Sequence, residues 1–326
     1  MHVFGPYAHA DQPGGEALQR RKHGEQLRER RRLHGLFTSR QNFTDHHVLD
    51  EDLQALRDDG RQFAAALESY ADASSKSSGG DANLRGEIDF LTARTNAKVA
   101  LADPTKLAAA ADGLKAFLGR NKDHYRYYAA QQLLGEVLLT ANDVPGAESA
   151  FAMVAAAPWS DVQMAGKLGS ARILFRQGDA AGAQKMFDEI VAGAKADDPA
   201  TAARRLEAML GQAQCLRAQG HNADAIPVFA QIARDAHEND SRLQAEAYIG
   251  QGEAYLAEGN HLKEARTAFL MVDVMFAKHG DLRAEALYQL SQIWPQLGQP
   301  VRGSEASAKL EQDYPNSEWA KKLSGG

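Results

Sequence analysis

Side chains that could carry out chemistry are few in this sequence, and they form no known catalytic motif. There is no Walker A loop, dinucleotide-binding glycine fingerprint, nucleophile elbow or kinase signature. A cluster that could imitate metal ligands is formed by His46, His47, Asp50 and Glu51. His47 and Glu51 would lie one turn apart on a helix. The sequence offers no third residue at a metal-ligand spacing, and it lacks the glutamate that acts as the base in zinc proteases. We interpret this cluster as solvated or capping, and we predict a non-enzymatic protein with no cofactor and no metal.

Two other features could react or bind. The single cysteine, Cys215, excludes an intrachain disulfide and gives no basis for a structural zinc site. It lies in an apolar helical stretch, so we expect a buried and unreactive thiol. The basic run RRKHGEQLRERRR, from Arg20 to Arg32, could bind phosphates or an acidic lipid surface. Its alternative interpretation is a disordered tail, or residues outside the natural protein.

The composition indicates helices and argues against a nucleic-acid partner. Hydrophobic residues make up 44% of the 326 residues, much of this fraction is alanine, and aromatic residues supply only 7%. Such a composition favours helices that pack closely through small side chains. The formal net charge of −6 provides no global field that would attract nucleic acid or an anionic membrane.

The compartment is predicted only conditionally. No apolar run approaches the roughly 18 residues that a membrane helix requires, so we expect no transmembrane segment. The first residues, MHVFGPYAHADQPGG, do not have the charged and apolar regions of a signal peptide. As written, the sequence predicts a cytoplasmic location, and a periplasmic or envelope location if the true start carries an export signal.

Three regions of the chain differ in character. Residues 1–44 have no sustained apolar face, which predicts a basic, disordered arm. Residues 45–80 are predicted to form an irregular helical hairpin followed by the flexible linker SSKSSGG. Residues 81–326 alternate between helix and short turn, and nothing between Leu84 and Trp319 shows the period-two alternation of a strand.

Residues typical of helix ends mark the predicted boundaries. A capping aspartate precedes a proline at Asp103-Pro104 and at Asp198-Pro199. Capping-box spacing joins two pairs of residues, Ser160 with Gln163 and Ser241 with Gln244. Glycines follow apolar helical runs, where a left-handed C-cap is expected, at Gly178, Gly220 and Gly259.

Internal repetition is the strongest signal in the sequence. In three windows, a small residue is followed by Leu three positions later, Ala twelve later and Phe sixteen later; the windows start at Gly135, Ala171 and Ala213. The phenylalanines of these windows are Phe151, Phe187 and Phe229. A fourth window, from Gly252 to Phe269, has one extra residue in its turn. We expect the small residues to let paired helices approach closely, and each ring to fill the groove against the next repeat.

This pattern resembles the tetratricopeptide repeat over about Leu84 to Trp319. The resemblance implies an all-α, right-handed α-solenoid of about five or six helix-turn-helix repeats. It also implies a protein–protein interaction scaffold that binds a peptide or protein on its concave face. The windows are 36 to 42 residues apart, against 34 in the usual repeat, so longer helices are expected. The run LEQDYPNSEWA, from Leu310 to Ala320, is similar to repeat ends of bacterial envelope helpers, the outer-membrane assembly lipoprotein and the Tol–Pal accessory factor. Its alternative implication is an envelope-assembly helper.

The resemblance also implies which side chains face inward, namely those one, four and five residues after each small residue. They are Glu136, Leu139, Thr140, Arg172, Phe175, Arg176, Gln214, Arg217, Ala218, Glu253, Leu256 and Ala257. A basic, amide-bearing patch within this set consists of Arg172, Arg176, Gln214 and Arg217, and its arginine forks could grip carboxylates of an acidic peptide. The alternative is an ordinary solvated face whose arginines pair with local glutamates. The family's carboxylate clamp is absent, since Gly169 and Gly211 stand where it needs polar side chains.

An aromatic cluster, His124-Tyr125-Arg126-Tyr127-Tyr128, opens one of the predicted first helices. Aromatic side chains give contact area at low entropic cost, as in interface hot spots. Tyr125 and Tyr128 are therefore candidates for partner binding, with packing between repeats as the alternative.

Overall fold

The computed structural model describes residues 60–76, 82–195, 198–237 and 240–325, and the statements below concern these ranges. The predicted arm at 1–44, the basic run and the histidine cluster at 46–51 lie outside the described residues. Of the hairpin and linker predicted at 45–80, the structure describes one helix, Gly60–Lys76, which includes the first three residues of SSKSSGG.

Fourteen α-helices and no strand occupy the described residues. We number them α1 Gly60–Lys76, α2 Ala82–Ala102, α3 Leu107–Arg120, α4 Tyr127–Thr140, α5 Val144–Ala155, α6 Ser160–Arg176, α7 Ala180–Gly193, α8 Pro199–Ala218, α9 Asn222–Asp235, α10 Ser241–Glu258, α11 Leu262–Met275, α12 Gly280–Gln296, α13 Pro300–Asp313 and α14 Glu318–Leu323. A short 3₁₀ helix, Pro104–Lys106, precedes α3. The all-α prediction is confirmed.

The helices from α2 to α13 form six antiparallel hairpins, each with a first helix (A) and a second helix (B). The A helices are α2, α4, α6, α8, α10 and α12. Each A helix also packs against the next A helix, whereas no two B helices of the described chain pack against each other to a comparable extent. The A helices are therefore closer together than the B helices, which places them on the inner side of the curved stack. Helix α14 packs on α12 and α13 at the end of the stack. The predicted solenoid is confirmed.

Phenylalanine side chains connect one hairpin to the next. Phe117, Phe151, Phe187, Phe229 and Phe269 are among the largest fully buried side chains. The Phe151 ring of α5 lies against Gly135 of its own A helix and against Gly169 of the following A helix. Phe187 meets Gly211, and Phe229 meets Gly250, in the same way. The predicted filling of the groove between repeats is confirmed, and it explains why glycine stands at 169 and 211.

Helix ends follow the prediction at their C-termini but not at two of their N-termini. Gly178, Gly220 and Gly259 all have positive φ, as expected of left-handed C-caps. Both predicted capping boxes are wrong, because neither α6 nor α10 has a side-chain cap hydrogen bond. The amides of Gln163 and Gln244 donate instead to the carbonyls of Ala157 and Ala236, which follow the preceding B helices. An unpaired carbonyl at a helix end is the stronger competitor for the amide.

The caps that do form at B helices come from aspartate. The carboxylates of Asp143 and Asp179 accept hydrogen bonds from the backbone N–H of Gly146 and Gly182, three residues later. Aspartate at this position satisfies a free N–H group and complements the helix dipole. The spacing Asp-x-x-Gly was therefore an informative signal that the sequence analysis did not use.

Cys215 is fully buried, as predicted. Burial, with a smaller contribution from Asp188, raises the pKa of its thiol to about 11, so the reactive thiolate is scarce at neutral pH. Each helix within the described ranges is too short or too polar to cross a bilayer.

Candidate functional site

None of the twelve predicted inward side chains on the A helices is fully buried, although Phe175 and Leu256 pack partly against the core. Each of these side chains is half-buried or exposed. We call this set the A-helix face: Glu136, Leu139, Thr140, Arg172, Phe175, Arg176, Gln214, Arg217, Ala218, Glu253, Leu256 and Ala257. The buried phenylalanines pack between the A and B helices, so most of the A-helix face stays at the surface.

Arginines connect neighbouring A helices across this face. Arg172 of α6 pairs with Glu207 of α8, with Nη2 and Oε2 3.2 Å apart. Arg217 of α8 pairs with Glu253 of α10 at 2.6 Å. Arg176 donates from Nη1 to the carbonyl oxygen of Leu139 in α4, at 2.6 Å.

A further arginine of this kind, Arg242, was missed by the sequence analysis. Its guanidinium donates to both carboxylate oxygens of Asp281 in α12, at 3.2 and 2.6 Å, and it also pairs with Glu246 of its own helix. Burial alone would raise the pKa of Asp281, but the hydrogen bonds and charge of Arg242 outweigh it and lower that pKa. We call Arg172, Arg176, Arg217 and Arg242 the arginine ladder.

The four residues of the predicted basic patch are thus in different situations. Arg172 and Arg217 have glutamate partners one repeat away, and Arg176 has only a carbonyl. The side chain of Gln214 is half-buried and forms no hydrogen bond within the described ranges. Of these four, Arg176 keeps a positive charge that no carboxylate of the described chain neutralises.

Two carboxyl groups meet beside Arg217. Burial, followed by the charge and hydrogen bond of Glu253, raises the pKa of Glu285 in α12 to about 8, although Arg217 opposes the shift. Glu318 of α14 adds a further negative charge. The raised pKa favours a protonated Glu285, whose hydroxyl can donate a hydrogen bond to the Glu253 carboxylate. This shared proton, with the Arg217–Glu253 ion pair, would connect α8, α10 and α12.

The raised pKa predicts a pH-dependent loss of stability. Between the unfolded value of 4.5 and about 8, the folded state holds a proton on Glu285 that the unfolded state lacks, so this contribution to the free energy of unfolding falls as pH rises. Glu285→Gln cannot ionise and should lose less stability than wild type between pH 6 and pH 9. Because solvent screens a half-buried pair, we expect a difference on the order of 1 kcal/mol.

Urea unfolding at the two pH values measures this difference. The matched control is Glu311→Gln, which removes an exposed carboxylate of α13. Parallel pH profiles for wild type and Glu285→Gln would contradict the shared proton.

The aromatic cluster surrounds a cavity of about 380 Å³ at the N-terminal end of α4. Tyr128 is nearly perpendicular both to Tyr127, at 5.4 Å between ring centroids, and to Trp159, at 5.8 Å. Tyr125 and Trp159 are 55% and 50% exposed, which is unusual for rings used only in packing. Trp159 was not predicted to belong to this cluster, because it lies just before α6, 31 residues after Tyr128.

Tyr125 has a structural role as well as an exposed face. Its hydroxyl donates to the buried Glu87 carboxylate of α2, which also pairs with Arg126 at 3.1 Å. Burial and Glu87 raise the pKa of Tyr125, so it remains a neutral donor. The same ring lies 4.8 Å from the Arg126 guanidinium. This network fixes the loop before α4 on the first hairpin.

The arginine and aromatic candidates do not form one site. Arg176 contacts Leu139 near the C-terminal end of α4, whereas Tyr128 lies near its N-terminal end. Eleven residues of helix separate these points, about 16 Å along the axis. The described chain also contains no group of three His, Cys, Asp or Glu side chains that could hold a metal ion.

Comparison with known proteins identifies one repeat. Residues 207–236 match the family model of the tetratricopeptide repeat. This segment begins within α8, includes all of α9, and contains the predicted Ala213, Ala225 and Phe229. No curated protein matches the chain. Among solved structures, the C-terminal part of a TPR repeat-containing protein from Cytophaga hutchinsonii is similar, with 13% identity and a TM-score of 0.42, over 85% of this chain and 98% of that chain.

Proposed function

We propose that this chain, an all-α solenoid that carries the tetratricopeptide repeat, is a non-enzymatic scaffold that binds a protein or peptide on its A-helix face. Tetratricopeptide repeats generally mediate protein–protein interaction. The observation that carries the proposal is the position of the arginine ladder. Its members lie on α6, α8 and α10, and their partners extend the ladder to α4 and α12 on the inner side of the stack, apart from the phenylalanine core. Such a surface presents charge at regular intervals to an extended partner.

An acidic partner segment fits this face at α6. Arg172 is 42% exposed in its pair with Glu207, and exposed ion pairs contribute only about 0–1 kcal/mol. A partner carboxylate can therefore replace Glu207 at little cost. Arg176 lies one turn further along α6 and has no carboxylate to release. An arginine guanidinium binds a carboxylate with two parallel hydrogen bonds. These bonds would fix the orientation of the partner carboxylate.

Site-specific photocrosslinking tests the location. Ala218 holds in α8 the position that Arg176 holds in α6, and its side chain is exposed. A benzophenone amino acid at position 218 should form a discrete adduct with a partner in cells. The same amino acid in place of the exposed Lys185 on the B helix α7 should form none. Arg172→Gln combined with Arg176→Gln should reduce the adduct at 218 at least tenfold.

The same set of proteins provides the control and the results that would contradict the proposed binding site. Equal melting temperatures for the Gln double variant and wild type show that the loss of adduct is not unfolding. An adduct at 185 without one at 218 would place binding on the other side of the hairpins. An adduct at 218 that survives the double Gln substitution would support binding on the A-helix face but contradict an acidic partner.

A second candidate function is an envelope-assembly helper, which the run LEQDYPNSEWA supports. In the structure, α13 ends before Tyr314-Pro315, and the Ser317 hydroxyl caps α14 by accepting from the N–H of Ala320. These residues therefore end one hairpin and start the next helix, as a repeat end would. Fractionation of tagged protein separates the two candidates: recovery with the envelope supports the helper, and recovery only in the cytoplasmic fraction contradicts it.

A further inference from the structure

The aromatic cavity at the N-terminal end of α4 is separate from the arginine ladder and has a different chemistry. Three of its rings form two corners, because Tyr128 is nearly perpendicular to Tyr127 on one side and to Trp159 on the other. Trp159 remains half exposed at the edge of this cavity. Two adjacent corners of aromatic surface are therefore open to a ligand from solvent.

The polar atoms that these three rings offer to a ligand are donors. Neither the Tyr128 hydroxyl nor the Trp159 indole forms a hydrogen bond within the described part of the chain. The Tyr127 hydroxyl accepts from Nε2 of Gln131 at 3.1 Å, so its own proton is available for donation. An indole N–H can only donate. An occupant that matches the rings must therefore supply acceptors, and it needs few donors of its own.

The charges around the cavity cancel, which argues against a charged occupant. Lys122 and Asp123 carry opposite charges at its rim, and neither forms an ion pair within the described ranges. Burial lowers the pKa of His124, so this imidazole is neutral at neutral pH. The guanidinium of Arg126 already lies 4.8 Å from the ring centroid of Tyr125, and it would repel a second cation there.

We propose that this cavity binds a proline-rich segment of a partner protein in the polyproline II conformation. A proline ring packs well on aromatic side chains, and proline has no N–H group that would need an acceptor. The carbonyl groups of such a segment form no internal hydrogen bonds, so they can accept from Tyr128 and Trp159. Two of its residues span about 6 Å, close to the 5.4 and 5.8 Å between neighbouring ring centroids. One segment can therefore occupy both corners.

Fluorescence anisotropy of a labelled peptide of ten prolines, titrated with the intact chain, tests this site. The anisotropy should rise to saturation. Trp159→Ala removes one wall and one donor, and it should raise the half-saturating protein concentration at least tenfold. Tyr128→Phe keeps the ring and should raise that concentration about fivefold, the effect of one lost hydrogen bond. Met153→Ala is the matched control, because Met153 is exposed and apolar but does not line the cavity. It should change the concentration less than twofold.

Three results would overturn the proposal. They are an unchanged half-saturating concentration in Trp159→Ala, equal binding of a ten-residue glycine–serine peptide, and tighter binding of a ten-residue lysine peptide, which would indicate a site for cations. Tyr128→Phe removes a single solvent-accessible oxygen, so its result does not depend on how well Trp159→Ala folds. Because no arginine of the ladder lines the cavity, Arg172→Gln combined with Arg176→Gln should leave binding of the proline peptide unchanged. The proposals for the cavity and for the A-helix face can therefore fail separately.

Discussion

Replacing Phe187 by alanine is expected to lower the free energy of unfolding by about 3–5 kcal/mol. The ring is 2% exposed and occupies the space between α7 and Gly211 of the following A helix. Removing it leaves a cavity between two hairpins, and neither hairpin can close the cavity without losing its own contacts. Because each repeat is stabilised by its neighbours, the loss should also reduce the cooperativity of unfolding.

Denaturant unfolding monitored by circular dichroism measures this effect. Arg176→Ala is the matched control, since its side chain is exposed on the A-helix face and should change stability by at most about 0.5 kcal/mol. Equal losses for the two variants would mean that the assignment of residues to core and face is incorrect.

Gly166→Ala should destabilise the protein by about 3 kcal/mol, at the upper end of the range for overpacked sites. A methyl group at position 166 would overlap the backbone nitrogen of Ala155 and lie 2.7 Å from the carbonyl oxygen of Phe151. These are backbone atoms of α5, so no side-chain rotation relieves the contact and the two helices must move apart. Gly166 lies inside α6, where helix propensity alone would favour alanine.

Gly113→Ala should have the opposite effect and increase the stability of the protein. Position 113 lies inside α3 and has no atom within 4 Å of an added methyl group. Alanine there should stabilise the protein by about 0.5–1 kcal/mol, because it restricts the unfolded chain without a clash. Thermal unfolding of both variants tests the pair, and a stabilising Gly166→Ala would contradict the close approach of α5 and α6.

The repeat spacing was sufficient to predict the core of the solenoid. Small residues and phenylalanines at fixed offsets predicted the pairing of helices. Phe151, Phe187 and Phe229 are buried, as that spacing predicts. Glycines after apolar runs predicted the left-handed C-caps. These features depend on local sequence or on contacts between adjacent hairpins, so a repeated pattern reveals them.

The polar contacts were less predictable because they depend on choices between competing partners. Ser160 and Ser241 have the spacing of capping boxes, yet the glutamines that would complete them satisfy carbonyls of the preceding turn. Each arginine of the ladder has a partner 35 to 39 residues away in the sequence, about one repeat length. A search for opposite charges one repeat apart could have found Arg242 and Asp281. The shared proton of Glu253 and Glu285 depends on burial, which spacing does not give.

Hydroxyl-radical footprinting of the intact wild-type chain tests the central claim, that phenylalanines lie inside the stack while the predicted inward residues lie on its surface. The buried rings of Phe151, Phe187, Phe229 and Phe269 should remain almost unmodified. Exposed reactive side chains, Tyr125, Met153, Trp159 and Met275, should be oxidised rapidly, and Phe175 on the A-helix face should react at an intermediate rate. Oxidation of Phe187 or Phe229 as fast as that of Phe175 would contradict the stacking on which the proposed binding face depends.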